Sequence, residues 1–372
     1  MIRIFTGGVL FEYAAFHLFT ARGNISKMLL SEFDYDLPEE LIAQEPLADR
    51  SASRMLLVDR ALGSFDDRLF RELPELVRSG DVFVINNTRV FPARLFGRSE
   101  TGANVEIFLT EDRGEGVWEV LARPGRRLRS GKKIVFGGSL IAEVIEKSDR
   151  GTITIRFNRS GTELDRSIDS LGKTPLPPYI RRPAGSIDSD RERYQTVFAE
   201  KRGAIAAPTA GLHFTPDLLA RLEDAGAHIC PVTLHVGYGT FEPVKNNDLS
   251  QHSVLPESYE ISGAAADLLN HARSNGRRVI AIGTTTTRAL ESNLNTNAGI
   301  FRQAHASADL TIIPGYRFRA VDALLTNFHL PRSSLLVLVS TFGGHELIMK
   351  AYRHAVAECY RFYSYGDCMF VE

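Results

Sequence analysis

Residues 208–244 read PTAGLHFTPDLLARLEDAGAHICPVTLHVGYGTFEPV, two loops flanking one helix and one strand. Apolar spacing predicts the helix over 217–225 and the strand over 228–236. The first loop carries Thr209, Gly211, His213 and Phe214. The second carries His235, Gly237, Tyr238, Gly239, Thr240, Phe241 and Glu242. Glycine lets backbone come close to a ligand. Histidine and threonine supply hydrogen bonds or proton transfer, and an aromatic ring offers its face to a planar or cationic group. Two such loops, joined so that both open at one end of a sheet, are expected to form walls of a pocket.

The alternation continues on both sides. Downstream, helices are expected over 264–275 and 286–294, and strands over 278–283 and 324–326. A further strand over 334–340 and a long helix over 344–362 follow. Upstream, strands over 54–59 and 81–86 flank a helix over 67–76 around Pro74. Such a pattern is that of an α/β sheet. Between 91 and 174 the texture changes. Short β-rich runs at 93–97, 104–110, 117–122, 133–136, 140–146 and 152–157 are separated by Gly, Asn, Asp and Arg turns. Regular short strands without intervening helices predict a small barrel. It ends at Lys173-Thr-Pro-Leu-Pro-Pro-Tyr179, a link that can be neither helix nor central strand. The expected architecture is a mixed α/β domain, residues 28–91 and 175–372, with an inserted small β-barrel domain, residues 92–174. Residues 1–27 have a basic start and an apolar stretch interrupted by Glu12 and His17, without a clear small-residue cleavage site. They read as an extension upstream of a start at Met28, disordered or not native.

With 372 residues, 44% of them hydrophobic, the chain can bury a sizeable core and is expected to divide in two. Lys and Arg number 44 against 45 Asp and Glu, a net charge of -1 that argues against a wholly basic coat but leaves room for local patches. Cys230, Cys359 and Cys368 form no CxxC pair. That suits a reducing compartment and provides no zinc or disulfide framework. No apolar run reaches the roughly 18 residues of a membrane span, so no membrane partner is expected.

Three further constellations carry chemistry. Residues 123–133 hold six cations in eleven positions, Arg123, Arg126 and Arg127 among them, and no acid. On a barrel loop they could grip phosphates, or form a solvated turn. Arg89, Arg94, Arg181 and Arg182 add basic spots, and together these suit an RNA backbone better than a small anion. Val279-Ile-Ala-Ile-Gly283 followed by Thr284, Thr285 and Arg288 is a buried strand, a glycine, then hydroxyls at a helix start. Free N–H groups there favour an anion such as a carboxylate, or the threonines merely cap the helix. Neither a Walker loop nor GxGxxG is present. Asn327 and His329 sit in a third loop, LTNFHLPRSS. Three histidines on three loops could ligate a metal, but no HxH or HExxH spacing supports it, and none is expected.

The text FDYDLPEELIAQEP, GDVFVINNTRVFPARL, KTPLPPYIRR, RYQTVFA, AAPTAGLHFT, LHVGYGTFEPV, IAIGTTTTRALES, LLTNFHLPRSSLLVLVSTFGG and YSYGDCMFV closely resembles the S-adenosylmethionine:tRNA ribosyltransferase-isomerases of queuosine biosynthesis. The likeness runs from about Met28 to the C-terminus. Residues 1–27 have no counterpart, and 104–170 match loosely. It implies an α/β catalytic domain with an inserted barrel, cytoplasmic and monomeric, with no permanently bound cofactor. It also implies transfer of the ribosyl part of S-adenosylmethionine, the cosubstrate, to 7-aminomethyl-7-deazaguanine at the tRNA wobble position, giving epoxyqueuosine, adenine and methionine. On that chemistry His213, His235 and His329 are candidate bases and acids. Phe214, Tyr238 and Phe241 would stack on a base or shield the sulfonium. Thr284, Thr285 and Arg288 would hold the methionine carboxylate, and Glu242 the aminomethyl group. A non-catalytic RNA-binding barrel protein and a metal-dependent hydrolase are the competing expectations, separated from it by adenine release and by metal analysis.

Overall fold

The computed structural model describes residues 29–148, 151–182, 188–237, 239, 244 and 246–372, so the expectation for residues 1–27 lies outside the described residues. The first half contains β1 (Arg54–Asp59), β2 (Ser64–Leu69), β3 (Val82–Asn86) and β4 (Thr88–Val90). Then come β5 (Arg94–Ser99), β6 (Asn104–Asp112), β7 (Val117–Arg123), β8 (Lys133–Val135), β9 (Ile141–Lys147) and β10 (Ile153–Phe157). Helices α1 (Gly161–Leu171) and α2 (Asp188–Arg193) precede β11 (Lys201–Ala204). The second half alternates α3 (Pro216–Asp224), β12 (His228–Leu234), β13 (Glu257–Ile261), α4 (Gly263–Ser274), β14 (Val279–Ile282), α5 (Thr284–Thr296) and β15 (Ala304–Ala308). It closes with β16 (Ala323–Asn327), α6 (Ser334–Gly343), α7 (His345–Ala357) and β17 (Cys368–Val371).

The fold is mixed α/β with a closed barrel. A nine-stranded sheet runs β15-β13-β12-β3-β14-β16-β17-β1-β2, and β10-β7-β6-β5-β8-β9 close on themselves. The centre of the large sheet, β12-β3-β14-β16, is parallel. Its inner strands are largely apolar because both faces are covered, with polar residues only at the C-terminal ends of β3 and β16 (Asn86, Thr326, Asn327), and every residue of β3, β14 and β16 is buried. In the barrel, alternate residues such as Leu95, Ile107, Val120 and Ile155 fill a separate core, capped by Leu164 and Ile168 of α1. Strict alternation is why all six barrel strands were legible in the sequence.

Three expectations fail for identifiable reasons. Residues 334–340 form a helix, α6, not a strand. Leu335-Leu-Val-Leu-Val339 is apolar throughout, so periodicity cannot separate a buried strand from a buried helix. The decisive signal is Ser333, whose hydroxyl accepts the Leu336 N–H at 3.2 Å and caps the helix. Residues 67–76 are not one helix either: Ser64-Phe-Asp-Asp-Arg-Leu69 is an edge strand antiparallel to β1, followed by a 3-10 helix at Phe70–Leu76. Its charges suit an exposed edge and hide the strand pattern. Helix α7 also stops at Ala357, short of the expected 362, where Cys359 takes a φ of 54°.

At the N-terminal end of the parallel strands, Asp81 and Arg278 meet through two hydrogen bonds, Nε to Oδ1 at 3.0 Å and Nη2 to Oδ2 at 2.5 Å. Their side chains are 2% and 12% exposed. Arg278→Ala strands a buried carboxylate and is expected to cost about 3–5 kcal/mol, read as a lower urea midpoint. An unchanged midpoint would show that the pair contributes nothing to stability.

Candidate active site

The C-terminal ends of β14 and β16 frame a cavity of about 250 Å³. In a parallel sheet this is where loops diverge and ligands enter. Gly283 leaves β14 with a φ of 95°, which a side chain would resist, and starts α5. The Thr286 and Thr287 hydroxyls bond back to the Ile282 and Gly283 carbonyls at 2.7 and 3.1 Å. Thr284 and Thr285 are left lining the cavity. No side chain caps α5, whereas Thr215, Ser262 and Ser333 cap α3, α4 and α6. The first N–H groups of α5 and the positive end of its dipole are therefore available to an anion.

Opposite lies the loop after β16. His329 is 9% exposed and lines the same cavity. Its Nε2 is 2.8 Å from Thr326 Oγ1, its N–H donates to the Tyr352 hydroxyl at 3.0 Å, and its carbonyl accepts from Tyr35 at 2.5 Å. The Thr326 hydroxyl also lies 3.4 Å from the Asn327 carbonyl; if it donates there, the ring proton is on Nε2 and the lone pair on Nδ1. Burial pushes the pKa down to about 3, so the imidazole is neutral near pH 7. Asn327 donates to the Tyr363 carbonyl at 2.9 Å, while its Oδ1 is buried without a partner. Thr209 and three tyrosines, Tyr179, Tyr194 and Tyr363, complete the walls. The rings of Tyr179 and Tyr363 lie 3.9 Å apart, and the Tyr194 hydroxyl is buried unpaired. Sequence reasoning named none of Tyr179, Tyr194 and Tyr363 as site residues. The available signal was an aromatic directly after the proline pair in KTPLPPYIRR.

The other histidines do not converge on this cavity. His213 belongs to a smaller chamber of about 20 Å³ with Arg50, Ser53 and Tyr365, which shares the lining residue Ser364 with the first. Its Nδ1 meets Ser53 Oγ at 2.8 Å, and its Nε2 is buried near the Asn327 amide without meeting hydrogen-bond geometry. Burial lowers its pKa to about 4, opposed by the Asn327 amide and reinforced by Arg361 and Arg50. His235 bonds Thr88 Oγ1 at 2.7 Å, and Gly203 lies so close over its ring that any Cβ there would come within 2.5 Å. Burial lowers its pKa too. Among the described residues no cluster of three or more His, Cys, Asp or Glu could hold a metal ion.

Several other candidates have structural surroundings. Phe214 is fully buried, edge-on to Phe70 with centroids 5.0 Å apart, so its face is closed to any base. Arg288 pairs with buried Glu257 at 2.6 Å, and its remaining donors hold the Leu255, Ala308 and Leu310 carbonyls, which occupies the group expected to bind a carboxylate. Gly211 packs under Phe198 and Thr196, and Gly237 donates to Glu257 Oε1 at 3.1 Å. Gly239 borders a cavity of about 30 Å³ that shares Thr284, Thr285, Ser334 and Leu335 with the main one. Tyr238, Thr240, Phe241 and Glu242 lie outside the described residues.

The profile of a family described as "Queuosine biosynthesis protein" matches residues 30–371. The chain belongs to this family. It is 48% identical to the S-adenosylmethionine:tRNA ribosyltransferase-isomerase of Desulfitobacterium hafniense, covering 92% of this chain and 100% of that one. It is 50% identical, with the same coverage, to the protein of that name from Symbiobacterium thermophilum. A crystal structure of S-adenosylmethionine tRNA ribosyltransferase from Thermotoga maritima superposes with a TM-score of 0.52 at 37% identity, over 92% of this chain and 100% of that chain.

In this chain the expected RNA-facing arginines divide into two groups. Arg89, Arg123, Arg126 and Arg127 are exposed and make no ion pair among the described residues. Arg94 pairs loosely with Glu106 at 3.6 Å, and Arg181 pairs with exposed Glu39 at 2.6 Å. Arg182 is locked to buried Asp190 through two contacts of 3.2 and 3.1 Å and holds the Gln44 carbonyl. It serves the fold, a correction to the expectation of a free phosphate contact. Among the described residues no helix is long and apolar enough to cross a membrane.

Proposed function

We propose that this chain is an S-adenosylmethionine:tRNA ribosyltransferase-isomerase. It transfers the ribosyl part of S-adenosylmethionine to the aminomethyl nitrogen of 7-aminomethyl-7-deazaguanine in tRNA, forming epoxyqueuosine and releasing adenine and methionine. The name of its relatives supports the reaction class. The observation that carries the residue roles is the juxtaposition, in one cavity, of an uncapped helix start and a neutral histidine.

The methionine carboxylate sits at the N–H groups of Thr284 and Thr285, where the α5 dipole favours negative charge. Tyr179 and Tyr363 face the sulfonium, which ring faces stabilise more strongly once water is excluded. His329, through Nδ1, takes the proton beside the sulfonium, and Thr326 holds the ring in place during that step. His213 sits behind Asn327 and positions that loop, and His235 lies outside the chemistry. Tyr238, Phe241 and Glu242 stay candidates for the deazaguanine side.

The test is incubation with tRNA carrying the deazaguanine precursor and S-adenosylmethionine, followed by nucleoside analysis. Epoxyqueuosine with one equivalent of adenine is the expected result. Methyl transfer, or no product, overturns the reading. Full activity after strong chelation also disposes of a metal-dependent hydrolase.

A further inference from the structure

The outer face of the barrel carries a feature that the cavity does not explain. Phe96 on β5 is 57% exposed, and Val135 beside it on β8 is 48% exposed. Single exposed apolar residues are ordinary, but these two share one face with cations. The register aligns Phe96 with Glu106 on β6 and Glu106 with Arg123 on β7, and pairs Arg98 with Val135. Strand spacing therefore sets Arg123 about 10 Å from Phe96 on the same face. Together they line an open groove of about 980 Å³.

The groove's lining holds Arg98 and Arg123 against Glu100 and Glu106, and it becomes net positive with the flanking Arg94 and Lys132. Its acids are already engaged, Glu106 with Arg94 at 3.6 Å and Glu100 with Lys132 at 3.2 Å. Arg98 and Arg123 make no ion pair among the described residues. Arg123 also begins the basic run that continues through Arg126 and Arg127. An exposed ring between unpaired guanidinium groups on a barrel strand matches how barrels hold single-stranded nucleic acid, with a base on the ring and phosphates on the cations. The face also connects to the cavity. Lys173 pairs with Arg94 at the start of β5, and Tyr179, six residues on, lines the cavity, a span of at most about 20 Å.

We propose that this face is a docking platform for an unpaired segment of the RNA substrate, with Phe96 stacking on one base and Arg98 and Arg123 holding flanking phosphates. The proposal rests on the tRNA-modifying reading above. The experiment measures binding of fluorescent substrate tRNA to the full chain across a salt series, for wild type, Phe96→Ala, Phe96→Trp, Arg98→Ala and Arg123→Ala. Phe96→Ala weakens binding about tenfold or more, and Phe96→Trp restores it. The slope of log Kd against log salt stays unchanged in Phe96→Ala and falls by about one in each arginine variant. A wild-type protein that does not bind tRNA overturns the functional reading itself. Wild-type binding with Phe96→Ala within twofold overturns the platform alone. So does a Phe96→Ala protein that changes oligomeric mass with RNA affinity intact, which would assign the face to a second copy of the chain.

Discussion

His329→Gln lowers single-turnover release of adenine from S-adenosylmethionine, with tRNA present, by about 10²- to 10⁴-fold, the range typical of losing a positioned base. Glutamine keeps an amide for the Thr326 hydroxyl, now 2.8 Å from His329 Nε2, and roughly keeps the volume, so the loss reports the missing proton acceptor. The ring is neutral because burial holds its pKa near 3. A pH–rate profile therefore has no acidic limb near 6.5 from this group, unlike one governed by an exposed histidine. His235→Gln is the contrasting variant. Its ring bonds Thr88 under Gly203 and does not line the cavity, so its rate stays within about tenfold of wild type, below the range of a lost base. If the two variants are equally impaired, or His329→Gln is nearly as fast as wild type, His329 is not the base.

The second large effect is on stability in acid. His213 and His329 have folded-state pKa values of about 4 and about 3, against about 6.5 in an unfolded chain. Between those limits the unfolded chain binds more protons than the folded one, so stability rises with pH and is lost as pH falls from about 6.5. The window closes near pH 4 for His213 and near pH 3 for His329. Within it each histidine contributes a slope of about 1.4 kcal/mol per pH unit. His235 and His252, whose pKa values burial also lowers, act in the same sense. Urea midpoints recorded from pH 7 to pH 4.5 measure the slope. His213→Gln combined with His329→Gln flattens it, whatever the offset of that variant at pH 7. Parallel profiles for wild type and the double variant would place the acid sensitivity elsewhere.

Legibility in the sequence followed the physics of each segment. Barrel strands such as Val117–Arg123 alternate between a filled interior and solvent, so their pattern is local and complete. Strand β14 and the Leu335–Val339 run of α6 are apolar on every side, and only flanking residues such as Ser333 tell strand from helix. In the site, the Gly-Thr turn at Gly283–Thr285 and the Asn-Phe-His turn at Asn327–His329 were legible, because strand-to-loop transitions at one sheet edge converge. The roles of Phe214 and Arg288 were not. A phenylalanine that faces a ligand and one that packs on Phe70 look identical in a sequence, as do an arginine awaiting a carboxylate and one already holding Glu257.

The amino-acid sequence by itself determined the family, the alternation of helices and strands, the barrel, and the loops that carry the polar groups. Each of these depends on the order of residues along the chain. Tertiary structure alone decided which loops share a cavity. It brought Tyr179 and Tyr194, beyond the barrel, to the ends of β14 and β16, and separated His213 and His235 from His329 although all three follow similar motifs. Proximity and burial set whether a side chain meets ligand or core, and its pKa. Both arise from packing between segments distant in sequence, which local pattern does not encode.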